Sequence, residues 1–117
     1  MTHVTGFLAA VADAKKEAYI DHARRAWPIF RDYGAIAMKE CWGVNVPDGE
    51  VTSFPMAVKK EDGETVVFSW IEWPDQASAE TCWASMESDP RWKEMPAEMP
   101  FDGKRMIFGG FDVIVEG

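Results

Sequence analysis

Apolar side chains occupy both alternating sets of positions in two segments, Val4–Val11 and Glu64–Trp73. That pattern is typical of strands that are covered on both faces. Two further apolar segments, Ala35–Trp42 and Lys104–Val115, also predict strands, and the last carries the pair Gly109-Gly110 in its middle. The chain is therefore predicted to contain four strands.

Segments with the periodicity of a helix lie between these strands. Between the first two, apolar residues recur at helical spacing over residues 13–33 and predict one long amphipathic helix, which Gly34 ends. Pro28 lies inside this helix on its charged side and removes one backbone hydrogen bond, so we expect a bend that opens toward water. After the third strand, a second helix is predicted to begin at Asp75 and to stop at Asp89.

The resulting order is strand, helix, strand, followed by strand, helix, strand. This order predicts an α+β fold, a ferredoxin-like βαββαβ sandwich with a four-stranded antiparallel sheet. The length of 117 residues matches one domain, residues 1–117. An irregular stretch from Gly43 to Gly63 joins the two units and is longer than usual connections. It is expected to be a functional loop, an edge extension, an arm toward a partner chain, or a segment that packs on its own domain.

Two helices can cover only one face of such a sheet. Four strands of about seven residues give a face of roughly 440 Å², which rivals the largest apolar patch on a typical monomer. Because the first and third strands are apolar on both sides, we expect the uncovered face to pack against a second copy. The fold is therefore predicted to form a homodimer, with two sheets paired as in a dimeric α/β barrel.

Composition and charge narrow the possible partners. A hydrophobic content of 47 % with six tryptophans and seven phenylalanines is typical of a folded globular chain. The net charge of -8 disfavours nucleic acid and anionic lipid as partners. The apolar runs are short, and no basic region followed by an apolar stretch opens the chain, so neither secretion nor membrane insertion is expected. Cys41 and Cys82 share no motif and are expected to be free thiols of a cytoplasmic protein.

Two glutamates in the predicted strands, Glu40 and Glu72, alternate with large apolar side chains, as expected for a pocket wall. The aromatic residues that we expect to line this pocket are Trp42, Phe68 and Trp70. A carboxylate in an apolar cavity has a raised pKa and can serve as a general acid or base. The alternative is that both glutamates are solvated near the strand ends.

Arg105 is the third catalytic candidate, because at the start of the last strand it can hold an anionic group or neutralise Glu40 or Glu72, unless it forms an ordinary ion pair. His22, on the flank of the helix's apolar stripe, is a proton shuttle, a ligand or a structural residue. Gly109-Gly110 admits a ligand, forms a bulge or accommodates a large neighbour. The two histidines and two cysteines share no ligand spacing, so neither a metal nor a cofactor is predicted.

Several segments resemble a known family: GFLAAV at 6–11, VTSFPMAVK at 51–59, ETVVFSWI at 64–71, DPR at 89–91 and MPFDGKRMIFGGF at 99–111. Together they resemble the small bacterial family catalogued as domain of unknown function 1428, in the dimeric α/β-barrel superfamily. The resemblance implies two sheets that face each other in a homodimer, and it implies no established reaction. Relatives often carry a His where this chain has Tyr33, so the resemblance implies no haem or base role there.

The sequence therefore predicts a small uncharacterised homodimer whose paired sheets enclose a largely apolar pocket that binds a small apolar or aromatic molecule. The alternative, by analogy within the superfamily, is a monooxygenase or a small isomerase, for which Glu40, Glu72 and Arg105 are the first residues to test. A third alternative is a purely structural or protein-interaction role, with a barrel filled by side chains.

Overall fold

The computed structural model describes residues 1–96 and 98–117, in which four antiparallel strands form one sheet. The strands are β1 (His3–Ala12), β2 (Ala37–Trp42), β3 (Glu64–Trp73) and β4 (Ile107–Asp112). The helices are α1 (Lys16–Asp32), α2 (Phe54–Ala57), α3 (Gln76–Ala84) and α4 (Pro90–Lys93). The strand order β2-β3-β1-β4 is that of the ferredoxin-like sandwich, and the predicted fold class is confirmed.

The first helix follows the amphipathic pattern of its sequence. A short 3-10 turn, Asp13–Lys15, precedes α1, whose buried residues are Tyr19, Ala23, Ala26, Ile29 and Phe30. Pro28 is exposed, in agreement with its predicted place on the solvent side. The helix ends where Gly34 adopts a φ of 105°, a conformation that glycine reaches without steric cost. None of the helices in the described part of the chain is both long and apolar enough to cross a bilayer.

The last strand is shorter than predicted. It begins at Ile107, whereas the sequence predicted a strand from Lys104. The carboxylate of Asp102 accepts a hydrogen bond from the backbone N–H of Lys104 at 2.9 Å, and its carbonyl accepts one from the N–H of Arg105 at 3.2 Å. These bonds close a turn, so Lys104 and Arg105 lie before the strand and do not open it.

The long excursion between β2 and β3 packs on its own domain. Ser53 caps the single turn α2, because its hydroxyl accepts a hydrogen bond from the N–H of Met56 at 3.1 Å. Behind that turn, Val58 is fully buried against Ala10 and Val66, at one end of the sheet face that α1 and α3 leave uncovered. One of the predicted roles, packing on the domain itself, therefore applies to this part of the excursion.

The remainder of that face is at least partly exposed in the protomer, and we call it the open face. It carries Lys39 and Glu72, but its other large side chains are apolar. It contains Val4, Leu8, Phe68, Trp70, Ile107 and Phe111. The exposed fractions of Phe68, Ile107 and Phe111 are 45 %, 43 % and 61 %. A face of this kind is a typical protein–protein contact surface.

The glycine pair of β4 accommodates neighbouring rings. A Cβ atom on Gly109 would lie 3.3 Å from the ring of Phe111, and one on Gly110 would lie 2.9 Å from Nε2 of His3. His3 itself is buried and hydrogen-bonded to Asp112 through Nδ1 at 3.2 Å. Of the three predicted roles for Gly109-Gly110, the structure supports close packing of large side chains.

Candidate functional site

A cavity of about 470 Å³ lies between the sheet and α1, on the face opposite the open face. We call it the central cavity, and its lining is made of Phe7, Ala9, Tyr19, His22, Ala23, Ala26, Phe30, Met38, Glu40, Ser69, Ile71, Trp83, Met86, Trp92, Met95, Met99, Phe101, Gly103 and Met106. The volume falls in the range of about 300–1,000 Å³ that is usual for small-molecule sites.

Short side chains leave this space open. Ala23 and Ala26 lie three residues apart on the same face of α1, and Ala9 lines the cavity from β1. Protein interiors are normally packed without voids of this size, because larger apolar side chains fill them. The alanines therefore separate helix from sheet without filling the gap between them.

Aromatic rings form one wall of the central cavity. The ring centroid of Phe30 lies 5.8 Å from that of Trp83 and 5.3 Å from that of Trp92. Phe7 approaches Trp83 edge-on at 6.2 Å. Such rings offer both faces and edges to a flat apolar ligand.

Methionines form much of the remaining wall. Five of the seven methionines line the cavity: Met38, Met86, Met95, Met99 and Met106. The unbranched thioether side chain adapts to irregular shapes and contacts aromatic rings favourably. The cavity is therefore lined by side chains that can adjust to an apolar occupant.

A hydrogen-bonded pair gives the cavity a polar end. The hydroxyl of Tyr19 donates to Oε1 of Glu40 at 2.5 Å, and Glu40 lies opposite Ser69 in the β2–β3 register. Glu40 as a whole residue is exposed, but desolvation of its carboxyl raises the pKa of that group, while hydrogen bonds from Tyr19 and Ser69 act in the opposite direction. Burial and the nearby Glu40 raise the pKa of the Tyr19 hydroxyl, so Tyr19 remains a neutral donor.

His22 completes the polar end from one turn further along α1. Its Nδ1 is buried and has no hydrogen-bond partner among the described residues. Burial lowers the pKa of this imidazole, against a smaller raising effect of Asp21, and so favours the neutral ring with one donor and one acceptor nitrogen. Phe101 packs edge-on against both Tyr19 and His22, with ring centroids 6.0 Å away in each case. The polar end therefore consists of Tyr19, His22, Glu40 and Ser69, under the ring of Phe101.

Arg105 lies outside the polar end and forms an ion-pair cluster. Its guanidinium donates to both carboxylate oxygens of Glu64, at 2.8 and 2.7 Å. It also donates to Asp102 at 3.0 Å and to the carbonyl oxygen of Lys59 at 2.9 Å. Hydrogen bonding to Arg105 lowers the pKa of Glu64 to about 2. The cluster holds the turn that follows Phe101 against the start of β3, and so fixes that ring over the cavity.

The structure separates the other residues predicted for one pocket. Glu40 is paired with Ser69, so the two side chains lie on the same face of the sheet. Side chains alternate along a strand, and three residues of β3 lie an odd number of positions from Ser69: Phe68, Trp70 and Glu72. These three residues therefore lie on the open face, across the sheet from Glu40. Trp42 shares the face of Glu40 but packs in a separate cluster, with the ammonium of Lys16 5.0 Å from its ring centroid. Of Glu40, Glu72 and Arg105, Glu40 alone lines the central cavity, where it is joined by His22.

Several cavity residues were not singled out from the sequence. The helical pattern over residues 13–33 predicts Tyr19 as part of the apolar stripe of α1, and no local pattern marks Ser69 or Phe101 as a site residue. One signal was present, since Tyr19 and His22 are three residues apart and therefore share a helix face. Nothing in the sequence placed Glu40 or Phe101 beside them, because those contacts join distant segments.

The chain is similar in sequence to a known family and to relatives from enteric bacteria. A sequence model of the family described as "Protein of unknown function (DUF1428)" matches residues 2–103. The uncharacterized protein YbaA of Escherichia coli K12 is 52 % identical over 116 residues, which cover 99 % of both chains, and the relative from Shigella flexneri gives the same values.

Two solved structures are similar at 16 % sequence identity, which supports a shared fold. A dimeric ferredoxin-like protein from an uncultured marine organism has a TM-score of 0.61, with 100 % of each chain covered. SnoaB from Streptomyces nogalater, a cofactor-independent oxygenase, has a TM-score of 0.55, with 98 % of this chain and 95 % of the other covered.

Proposed function

We propose that this chain, which belongs to the DUF1428 family of proteins of unknown function, binds a small apolar molecule in the central cavity of each protomer of a homodimer. The cavity of about 470 Å³ is the observation that carries this proposal. Its walls are aromatic rings and methionines, and its polar groups converge at one end. Apolar space with a few grouped polar atoms is typical of sites that enclose a small ligand.

The open face supports the homodimer. Phe68, Ile107 and Phe111 expose between 43 % and 61 % of their surface in the protomer, and a second copy with the same face covers them by twofold symmetry. The similar marine protein is dimeric, which agrees with this arrangement. The cavity lies on the other side of the sheet, so each protomer carries a site of its own.

Replacing Ala23 by Leu is expected to weaken binding of a neutral apolar probe such as Nile red at least tenfold. Ala23 lines the cavity, and the larger side chain occupies space that the probe needs. Fluorescence titration measures the dissociation constant. The control is Ala18→Leu, an exposed position on the same helix, which should bind as the wild type does. Equal affinity in the Ala23 variant would show that the probe binds elsewhere and would contradict the proposal.

The second candidate function is proton transfer on a bound substrate, and Glu40 is the observation that favours it. A carboxylate with a raised pKa in an apolar cavity is suited to act as a general base. In this role Glu40 takes a proton from an acidic C–H or O–H group of the substrate. The fold neighbour SnoaB is a cofactor-independent oxygenase, and the analogy with it rests on the fold alone.

For this candidate we expect Glu40→Gln to lower the rate of exchange at least about 100-fold, the usual contribution of a general base. The measurement is deuterium uptake from D₂O into a panel of small aromatic ketones, followed by mass spectrometry. Glu72→Gln is the matched control, because Glu72 is a carboxylate on the opposite face of the same sheet. If the Glu40 variant exchanges as fast as the wild type, Glu40 is not the base.

A further inference from the structure

The polar end of the central cavity is chemically selective. We propose that the ligand is a neutral hydroxylated aromatic molecule whose hydroxyl group lies between Glu40 and His22. The inference rests on the proposed binding function and names the ligand class for the same site. It follows from the hydrogen-bonding groups that remain free in the cavity and from the absence of a cationic side chain in its lining among the described residues.

The hydrogen-bonding groups that remain free at the polar end require a ligand that both donates and accepts a hydrogen bond. Glu40 accepts hydrogen bonds from Tyr19 and Ser69 and keeps further lone pairs free, so it favours a donor on the ligand. His22 Nδ1 is buried without a partner among the described residues, and it is a donor or an acceptor according to its tautomer. A hydroxyl group donates to Glu40 and accepts from His22 when Nδ1 carries the proton, which is the tautomer of the proposed bound state. Buried polar groups favour such a match, because leaving one unpaired is costly.

Other charge types fit less well. The lining contains the carboxylate of Glu40 and neither lysine nor arginine among the described residues, so an anionic ligand meets repulsion without compensation. An ammonium group pairs with Glu40 but lacks the acceptor that a His22 N–H donor requires. An unsubstituted hydrocarbon leaves both groups unpaired. The rings of Phe30, Trp83 and Trp92 provide the surface for the aromatic body of the ligand.

Four probes with the same ring system test the class. Isothermal titration calorimetry at pH 7 compares 2-naphthol, naphthalene, 2-naphthoate and 2-(aminomethyl)naphthalene with the full-length protein. We expect 2-naphthol to bind at least tenfold more tightly than naphthalene, and 2-naphthoate to bind most weakly. Equal binding of all four, or tightest binding of the amine or the carboxylate, overturns the proposed ligand class while the binding function stands. If none of the four binds, the binding function itself is contradicted.

Variants identify the group that recognises the hydroxyl. In Glu40→Met the preference for 2-naphthol over naphthalene should fall below threefold, and His22→Phe provides a second variant if the first does not fold. Glu72→Met is the control and should retain the full preference, since Glu72 lies across the sheet. Thermal unfolding verifies that each variant is folded. A preference that persists in both cavity variants would place the hydroxyl elsewhere and would contradict the proposal.

Discussion

The variant Phe68→Glu is expected to be a folded monomer at micromolar concentration. Phe68 lies at the centre of the open face, 5.5 Å from Trp70 and 6.0 Å from Phe54 between ring centroids, and 45 % of its surface is exposed. In the proposed dimer a second copy covers it, so a carboxylate at this position is buried without a partner. That costs several kcal/mol for each protomer, and we expect the dissociation constant of the dimer to rise at least about 100-fold. Sedimentation velocity over a range of concentrations measures it.

Ile36→Glu is the control for this prediction. Ile36 precedes β2, is 60 % exposed and lies outside the open face, so the same charge there should leave the dimer intact. Circular dichroism establishes that both variants remain folded. A Phe68 variant that dimerises like the wild type, or a wild-type protein that sediments as a monomer, would show that the open face does not pair with its copy.

Replacing Glu64 by Gln is expected to reduce the free energy of unfolding at pH 7 by about 1–2 kcal/mol. The bidentate ion pair with Arg105 lowers the pKa of Glu64 to about 2 from an ordinary value of 4.5. The folded chain therefore binds the proton more weakly than the unfolded chain. The pair stabilises the fold fully above pH 4.5, and its contribution is lost as the pH falls from about 4.5 to about 2. Solvent near this cluster screens the pair and limits the energy.

Denaturant unfolding at a fixed protomer concentration measures this difference. We expect it to be largest near pH 7 and to vanish only below about pH 2, where Glu64 is protonated in both states. Glu61→Gln is the matched control, because Glu61 lies 3.6 Å from the same guanidinium but is 74 % exposed, and we expect a change below about 0.5 kcal/mol. A difference between wild type and the Glu64 variant that is independent of pH would show that packing, and not the ion pair, is responsible.

Much of the fold was predictable from local pattern. β3 has the predicted bounds, Glu64–Trp73, because its apolar residues alternate on both faces without interruption. The buried residues of α1 follow the predicted apolar stripe, because they recur at helical spacing along the sequence. β4 begins later than the pattern predicts, because the side chain of Asp102 closes a turn over residues that are otherwise suited to a strand. A hydrogen bond from a backbone N–H to a nearby side chain competes with strand pairing, and the spacing of apolar residues gives little information about such bonds.

The candidate site was predictable only one residue at a time. Glu40 and His22 were each identified from their neighbours in the sequence, but nothing local placed them in one cavity. Glu40 reaches Tyr19 across a sheet-to-helix contact, and Phe101 covers both Tyr19 and His22 from a turn some eighty residues away in the chain. The Arg105 cluster, which holds that turn, also joins distant segments. Tertiary packing therefore assembled the site.

Glu40 and Glu72 show the difference between what the sequence determines and what the tertiary structure decides. The sequence alone determined that each glutamate lies in a strand and alternates with apolar residues, because the position of a side chain along a strand depends only on local geometry. Which glutamate faces a cavity depends on the β2–β3 register and on the side that α1 covers. A shift of one residue in the register exchanges the two faces of a strand, so the three-dimensional pairing decided that Glu40 lines the cavity on the α1 side of the sheet and that Glu72 lies on the open face.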